Sequence, residues 1–229
     1  FDRPLSIAGR VILRSSDPLR PTTRLVRIDR PLLTIPHLAI HFNRAVNDGN
    51  PLSRQKDMLP VLGHINDAAE REGLLLRLIA AELQVSERDI LDFDISLYDT
   101  TPACLLGLDN EFVSSGRLDD LSMVHAAVSA LTASASDQRM TRVMAIFDNE
   151  ETGSGTKQGA ASPVLEHLCR RITAALGGGE EEYLRAVASS FMISADDAHG
   201  IHPNYPEKHD PTNHPVLGGG PVIKINANC

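Results

Sequence analysis

The stretch Arg142–Ser154, RVMAIFDNEETGS, places adjacent acidic side chains directly after a short apolar run. The run Arg142–Phe147 has the length and composition of a buried β-strand. Glu150 and Glu151 follow the predicted strand end, where ligands gather in open α/β sheets and where successive side chains point to opposite sides. One carboxylate of such a pair can bind a metal while the other accepts a proton from water. The alternative is a solvated acidic turn after an edge strand.

Two further acidic clusters lie at predicted element boundaries. A second apolar run, Ser189–Ser194, predicts a buried strand and is followed by Asp196 and Asp197. Asp119 opens a segment with apolar residues at three- and four-residue steps, which predicts a helix: Leu121, Val124, Ala127, Val128 and Leu131. Three carboxylate clusters at element boundaries favour a shared metal site over three unrelated ones.

Each cluster also has a structural interpretation. Aspartate is a common helix N-cap, and at Asp119 a cap and a metal ligand are equally compatible with the local sequence. Asp196 has the alternative of a turn residue. Carboxylates together with histidine suit zinc, manganese or cobalt, whereas oxygen-only sites suit magnesium or calcium.

The chain resembles the aspartyl aminopeptidase family of dinuclear metallo-aminopeptidases. The matching motifs occur in family order over nearly the whole chain: FDRPLSIAGRV from Phe1, IPHLAIHFNRAVNDG from Ile35, SGRLDDL from Ser115, FDNEETGS from Phe147, SADDAHGIHPNYPEKH from Ser194 and GGGPVIKINAN from Gly218. The family pattern has an apolar residue where this chain has Asp197, and we expect that extra carboxylate to face solvent.

The resemblance implies a role for each matched residue of the metal site. It makes Asp119 the bridge between two metal ions, Glu150 the general base, Glu151 a ligand to one metal and Asp196 a ligand to the other. Two metal ions per subunit are expected, with zinc first and manganese or cobalt as alternatives. The family's site also uses a His-x-Asp segment before the position of Phe1 and a histidine after Cys229, so we expect this chain to be an interior piece that supplies part of the ligand set.

The resemblance also implies substrate contacts and an assembly. Lys224 would meet the acidic side chain of a substrate's first residue, and His199 would line the substrate pocket. His41 would reach the active site of a neighbouring subunit from an accessory domain. The family assembles dimers into a tetrahedral dodecamer that admits short peptides, so we expect a homo-oligomer.

From the residues alone, Lys224 and the histidines have other interpretations. Lys224 can also be an edge-strand lysine that blocks sheet aggregation. His37 and His41 are four residues apart, which suits a helical zinc pair, but Pro36 and strand-like neighbours weaken that interpretation. His199 and His202 follow Asp196 closely enough for either to border a pocket. Packing or surface roles are favoured at His64, His125 and His167.

Composition excludes several classes of protein. A chain of 229 residues with 42% hydrophobic residues can build a sizeable core in one or two domains. The net charge of −8 and the lack of Lys/Arg-rich runs argue against a nucleic-acid partner. No apolar run approaches the roughly 20 residues that span a bilayer. The three cysteines, Cys104, Cys169 and Cys229, are too few and too dispersed for a disulfide framework, which favours a cytoplasmic protein.

The pattern predicts an α/β fold in two parts. Residues 1–112 are expected to form a β-rich accessory (dimerisation) domain, with strands at Leu5–Leu13, Arg24–Ile28 and Ile90–Leu97 and an apolar helix at Ala68–Leu83. Residues 113–229 alternate strand and helix, with helices at Pro163–Leu176 and Glu180–Ala188, which predicts part of a metallopeptidase domain: a zinc-aminopeptidase-like sheet with helices on both faces.

The sequence therefore predicts a metal-dependent aminopeptidase that removes N-terminal residues, preferably Asp or Glu, through metal-activated water and Glu150. Three alternatives use the same residues. They are an aminopeptidase that prefers neutral residues, a related dinuclear amidohydrolase, and a catalytically incomplete fragment that folds and assembles only.

Overall fold

The computed structural model describes residues 1–134 and 140–225, and it divides the chain into two compact units, Phe1–Gly116 and Arg117–Cys229. The boundary lies four residues beyond the predicted one, because the strand that crosses residue 112 pairs within the first unit. Cys229 lies outside the described residues. No helix in the described ranges is long and apolar enough to cross a membrane.

A three-stranded antiparallel sheet organises the first unit. Its strands are β1 (Leu5–Leu13), β2 (Thr22–Arg27) and β3 (Ile90–Asp99), in the order β2-β1-β3. All three were predicted from their apolar and β-branched content. A second, two-stranded antiparallel sheet pairs β4 (Cys104–Leu106) with β5 (Phe112–Ser114).

The core of the first unit lies between the three-stranded sheet and one helix. The predicted helix at Ala68–Leu83 is divided into α1 (Ala68–Arg71) and α2 (Leu74–Leu83) by Gly73, whose φ of 68° is left-handed. Val11 of β1 and Ile79 of α2 are both fully buried, and they form one cluster with three further apolar residues: Leu13, Val26 and Leu83. The apolar stripe of this helix is therefore a core surface.

Close packing of β1 against β3 requires glycine at position 9. A Cβ atom built on Gly9 would lie 2.1 Å from the carbonyl oxygen of Asp94 and 2.8 Å from Cα of Ile95. Both neighbours are backbone atoms, so neither can rotate away. A side chain here would have to push the paired strands apart.

We expect Gly9→Ala to lower the free energy of unfolding by about 3 kcal/mol, the upper range for overpacking of a core. The measurement is urea unfolding of the intact protein. The matched control is Gly63→Ala, because a Cβ atom at Gly63 meets nothing within 4 Å. Equal unfolding midpoints for Gly9→Ala and the wild type would contradict the close approach.

Among its described residues, the second unit contains three α-helices: α3 (Leu118–Ala133), α4 (Val164–Ala175) and α5 (Glu180–Ala188). All three were predicted, and the glycine run between α4 and α5 ends α4 in a Schellman motif. Gly177, with φ of 89°, donates its N–H to the Ala174 carbonyl, and Gly178 donates to the Thr173 carbonyl, both at 3.0 Å.

The two strands predicted for the second unit are not formed. The structure assigns neither Arg142–Phe147 nor Ser189–Ser194 to a strand, and Phe191 is 88% exposed. A strand depends on hydrogen bonds to a neighbouring strand, and the described residues of this unit provide no such neighbour. The expected sheet is therefore absent from this part of the chain, and α3, α4 and α5 bury none of their residues.

Candidate metal centre

Asp119 lies at a kink at the start of α3. Its backbone is extended (φ −78°, ψ 115°), and Asp120 is also non-helical (φ −112°, ψ 20°). The peptide bond between the two residues is cis. In the described part of the chain, the Asp119 side chain accepts no capping hydrogen bond from the helix. Its carboxylate instead lies close enough to Asp196 for the two charges to interact.

Lys224 holds Asp196 from another segment of the chain. Its Nζ donates to Asp196 Oδ2 at 2.8 Å and to the carbonyl oxygen of Asp197 at 2.9 Å. The hydrogen bond from Lys224 is the largest cause that lowers the pKa of Asp196. Asp196 is therefore held as an ionised carboxylate beside the start of α3.

The carboxylates around Asp119 create a concentration of negative charge. Desolvation raises the pKa of Asp119 most, and the charges of Asp196, Asp197 and Glu151 raise it further. The structure thus brings three predicted metal ligands, Asp119, Asp196 and Glu151, close enough for their charges to interact. A bound cation would relieve this repulsion.

Glu150 and Glu151 sit in a closed turn that follows Asp148. Asn149 adopts a left-handed φ of 61°, and its carbonyl accepts the N–H of Gly153 at 2.8 Å. Further along, Ala161 donates its N–H to the Ser154 carbonyl at 3.0 Å and closes the loop. Because the residues before Glu150 form no strand, this turn, and not a strand end, sets its direction.

Asp197 does not simply face solvent, as its sequence position suggested. It is half-buried, and its Oδ1 accepts a hydrogen bond from Ser122 Oγ at 2.6 Å. The prediction was wrong because α3 presents a hydroxyl in its first turn to this loop. The 75 residues that separate Ser122 from Asp197 leave no periodic signal of this contact in the sequence.

The predicted substrate-binding histidines are exposed. His199 lies in the loop after Asp196, and His41 lies in the first unit within the short 3-10 helix Ile40–Phe42. Because that helix begins after His37, the alternative of a helical zinc pair between His37 and His41 is wrong.

A second pair of histidines organises the loop beyond His199. His202 donates its backbone N–H to His209 Nε2 at 2.9 Å, and the backbone N–H of Asn204 donates to His202 Nδ1 at 3.2 Å. No pattern in the sequence predicted the contact between His202 and His209.

The donor set fits a divalent metal in kind and is incomplete in number. Carboxylates are suitable ligands for zinc. Yet no three His, Cys, Asp or Glu residues in the described ranges lie close enough together to hold a metal ion. The described residues therefore provide part of a centre.

A match to a known protein family identifies the family of this chain. The model of the aminopeptidase I zinc metalloproteases (M18) matches residues 1–229. The chain belongs to the M18 family. The family predicted from the motifs is thereby confirmed.

The M18 chain has close relatives of known sequence and structure. A probable M18 family aminopeptidase 2 from Clostridium novyi (strain NT) is 52% identical over 228 residues, which is 100% of this chain and 52% of the relative. Ape4 in its cryo-EM complex with Nbr1 is similar at 38% identity and a TM-score of 0.89, covering 100% of this chain and 47% of the solved one.

A third M18 similarity is to the S. cerevisiae mApe1 dodecamer, at 26% identity and a TM-score of 0.72, over 94% of this chain and 49% of that one. These matches confirm the predicted mixed α/β class. The chain spans about half the length of the relatives it matches.

Proposed function

We propose that the intact protein is a metal-dependent aminopeptidase that removes N-terminal residues, preferably Asp or Glu, from peptides. The observation that supports this proposal is the ion pair from Lys224 Nζ to Asp196 Oδ2 at 2.8 Å, beside carboxylates whose charges act on Asp119. The M18 family is described as zinc metalloproteases, which supports zinc as the metal.

Three carboxylates would hold two metal ions. Asp119 would be the ligand shared by the two ions, and Asp196 and Glu151 would each bind one of them. When bound, such ions supply an attacking water of lowered pKa and polarise the scissile carbonyl. Glu150, which is exposed beside Glu151, takes the proton from the attacking water and returns it to the leaving amine.

The experiment that tests this proposal is a substrate panel on the intact protein. Asp-, Glu- and Leu-linked chromogenic substrates are compared before and after metal removal with a chelator, and zinc, manganese or cobalt is then restored. We expect turnover only with metal and a higher kcat/KM for the acidic substrates. Metal-independent turnover would overturn the proposal, and a preference for Leu would support the aminopeptidase of neutral preference instead.

Lys224 is proposed to read the acidic side chain of the substrate's first residue. In the structure its Nζ is bound to Asp196 Oδ2 and the Asp197 carbonyl, so the cation is already fixed beside the proposed metal ligands. A lysine held in this position favours a substrate carboxylate by a charge-assisted hydrogen bond.

We expect Lys224→Leu to reduce the preference for Asp and Glu over Leu by about 1–3 kcal/mol, the scale of a lost hydrogen bond to a charged group. The measurement is the ratio of kcat/KM values for acidic and neutral substrates. The control is Lys157→Leu, which removes an exposed lysine from the same unit. Because Lys224 also holds Asp196, zinc content is measured on each variant. An unchanged ratio in zinc-loaded Lys224→Leu would refute this role.

Assembly is proposed to complete the site. The mApe1 relative forms a dodecamer. We propose a homo-oligomer of this protein, built from dimers into a tetrahedral dodecamer through residues of the first unit, in the cytoplasm. His41 of one subunit would complete the substrate pocket of its neighbour, and His199 would line that pocket within its own subunit.

We expect His41→Ala to lower activity without loss of zinc, because the imidazole serves a neighbouring pocket. Mixed oligomers of His41→Ala and Glu150→Gln subunits should then regain part of the rate, since an intact site can form between them. The measurement is activity and zinc content after controlled reassembly, with His64→Ala as the control at another histidine of the same unit. Full activity of His41→Ala alone would contradict the shared pocket.

A further inference from the structure

One hydrogen bond ties the first turn of α3 to the segment that carries Asp196. Ser122 Oγ donates to Asp197 Oδ1 at 2.6 Å across 75 residues of sequence. Ser122 lies three residues after Asp119, and Asp197 directly follows Asp196. The bond therefore joins the immediate neighbours of two proposed metal ligands.

The same segment is held a second time through its backbone. Lys224 Nζ donates to the carbonyl oxygen of Asp197 at 2.9 Å and to Asp196 Oδ2 at 2.8 Å. Asp197 is thus fixed by its side chain to α3 and by its main chain to Lys224. These contacts leave the Asp196 carboxylate little freedom to move relative to Asp119.

The bond from Ser122 is a short one. At 2.6 Å it lies at the short end of the range for O–H···O hydrogen bonds. Ser122 is exposed and Asp197 is half-buried. Such a hydrogen bond is suited to holding the start of α3 and the Asp196 segment at a fixed separation.

We propose that Ser122 and Asp197 are positioning residues that set the separation between the Asp119 and Asp196 carboxylates and so tune the affinity for divalent metal. The inference rests on the proposed function, because it takes those two carboxylates as metal ligands. Asp197 acts through its Oδ1 as a hydrogen-bond acceptor, and its charge is not what the contact requires.

The test is the zinc affinity of the intact protein, measured by competition with a chromogenic chelator. Loss of a hydrogen-bond partner behind a metal ligand costs about 10–100-fold in affinity, and we expect that loss in both Ser122→Ala and Asp197→Ala. The double variant should be no weaker than either single one, because both remove the same contact. Asp197→Asn, which keeps the acceptor, should stay near the wild type.

Two matched comparisons isolate the hydroxyl. Ser129→Ala changes an exposed serine of the same helix and should leave the affinity unchanged. Ser122→Thr and Ser122→Val introduce side chains of the same shape, and only threonine keeps the hydroxyl. Zinc binding that is retained in Ser122→Thr and lost in Ser122→Val assigns the effect to the hydrogen bond. This comparison holds even where an alanine variant does not fold. A purely structural role of the serine would move both variants alike.

Several results would overturn the inference. Asp197→Asn as weak as Asp197→Ala would show that charge, and not the hydrogen bond, carries the effect. Ser122→Ala or Ser122→Val with wild-type affinity would remove the positioning role. Failure of the wild-type intact protein to bind zinc is a different result, because it would defeat the proposed function itself.

Discussion

Replacing Glu150 with glutamine in the intact protein is expected to lower kcat by at least ~10²-fold while the zinc remains bound. The amide keeps the size and hydrogen-bonding shape of the side chain but cannot accept the proton of the attacking water. Glu150 lies in the closed turn that Asn149 begins, so the substitution changes an exposed group and leaves the internal hydrogen bonds of that turn intact. The measurements are steady-state rates and zinc content of the same preparation.

The neighbouring residue is the matched control. Glu151→Gln should weaken zinc binding, because Glu151 is close enough for its charge to raise the pKa of Asp119. The reverse pattern, with zinc lost in Glu150→Gln and kept in Glu151→Gln, would exchange the two roles. Full activity in both variants would falsify the metallopeptidase proposal.

Local signals made the helices predictable. Glu180, Glu181 and Glu182 fill the first turn of α5, where acidic side chains favour the positive end of the helix, and the Glu182 side chain accepts the N–H of Gly179 at 2.8 Å. The boundaries of this helix were therefore predicted as observed, Glu180–Ala188.

The ion pairs and the ring contact around Arg170 also join residues that are close in sequence. The Arg170 guanidinium donates to Glu166 at 2.8 Å, bonds Glu180 and lies 4.2 Å from the centre of the Tyr183 ring. Helix periodicity places Glu166 beside Arg170, and the short connection between α4 and α5 brings Glu180 and Tyr183 to the same guanidinium.

Strands were predictable only where both partners lie in the described chain. The apolar run of β1 pairs with β3, and the register places Val11 opposite Phe93. Arg142–Phe147 has an equally strong strand composition but no strand neighbour in the described residues. Composition reports how well a segment fits a sheet, whereas the sheet itself depends on segments elsewhere.

The candidate site shows the same limit. Motif and boundary position predicted Asp119, Glu151 and Asp196, and in the structure the charges of Asp196 and Glu151 act on Asp119. The contacts that hold them, from Lys224 to Asp196 and from Ser122 to Asp197, join residues far apart in sequence and could not be predicted. The prediction that Asp197 faces solvent was wrong for this reason, because its hydrogen-bond partner Ser122 lies on a helix 75 residues earlier.

Asp119→Ala is expected to remove or severely distort the metal pair of the intact protein. Asp119 is the carboxylate whose pKa the charges of Asp196, Asp197 and Glu151 all raise. A bridging ligand contacts both ions, so its loss should lower zinc content at both positions and abolish turnover. The measurements are zinc stoichiometry after dialysis and the rate on the preferred substrate.

Asp120→Ala is the control that separates this role from a capping role, because Asp120 occupies the same kink and the same first turn of α3. We expect that variant to keep its zinc and most of its activity. If Asp119 instead serves only as a helix cap, Asp119→Ala will cost about 1 kcal/mol of unfolding free energy and leave the zinc in place. Among the described residues, Asp119 makes no capping hydrogen bond to the helix. Its charge instead interacts with that of Asp196. We therefore expect Asp119→Ala to lose the metals.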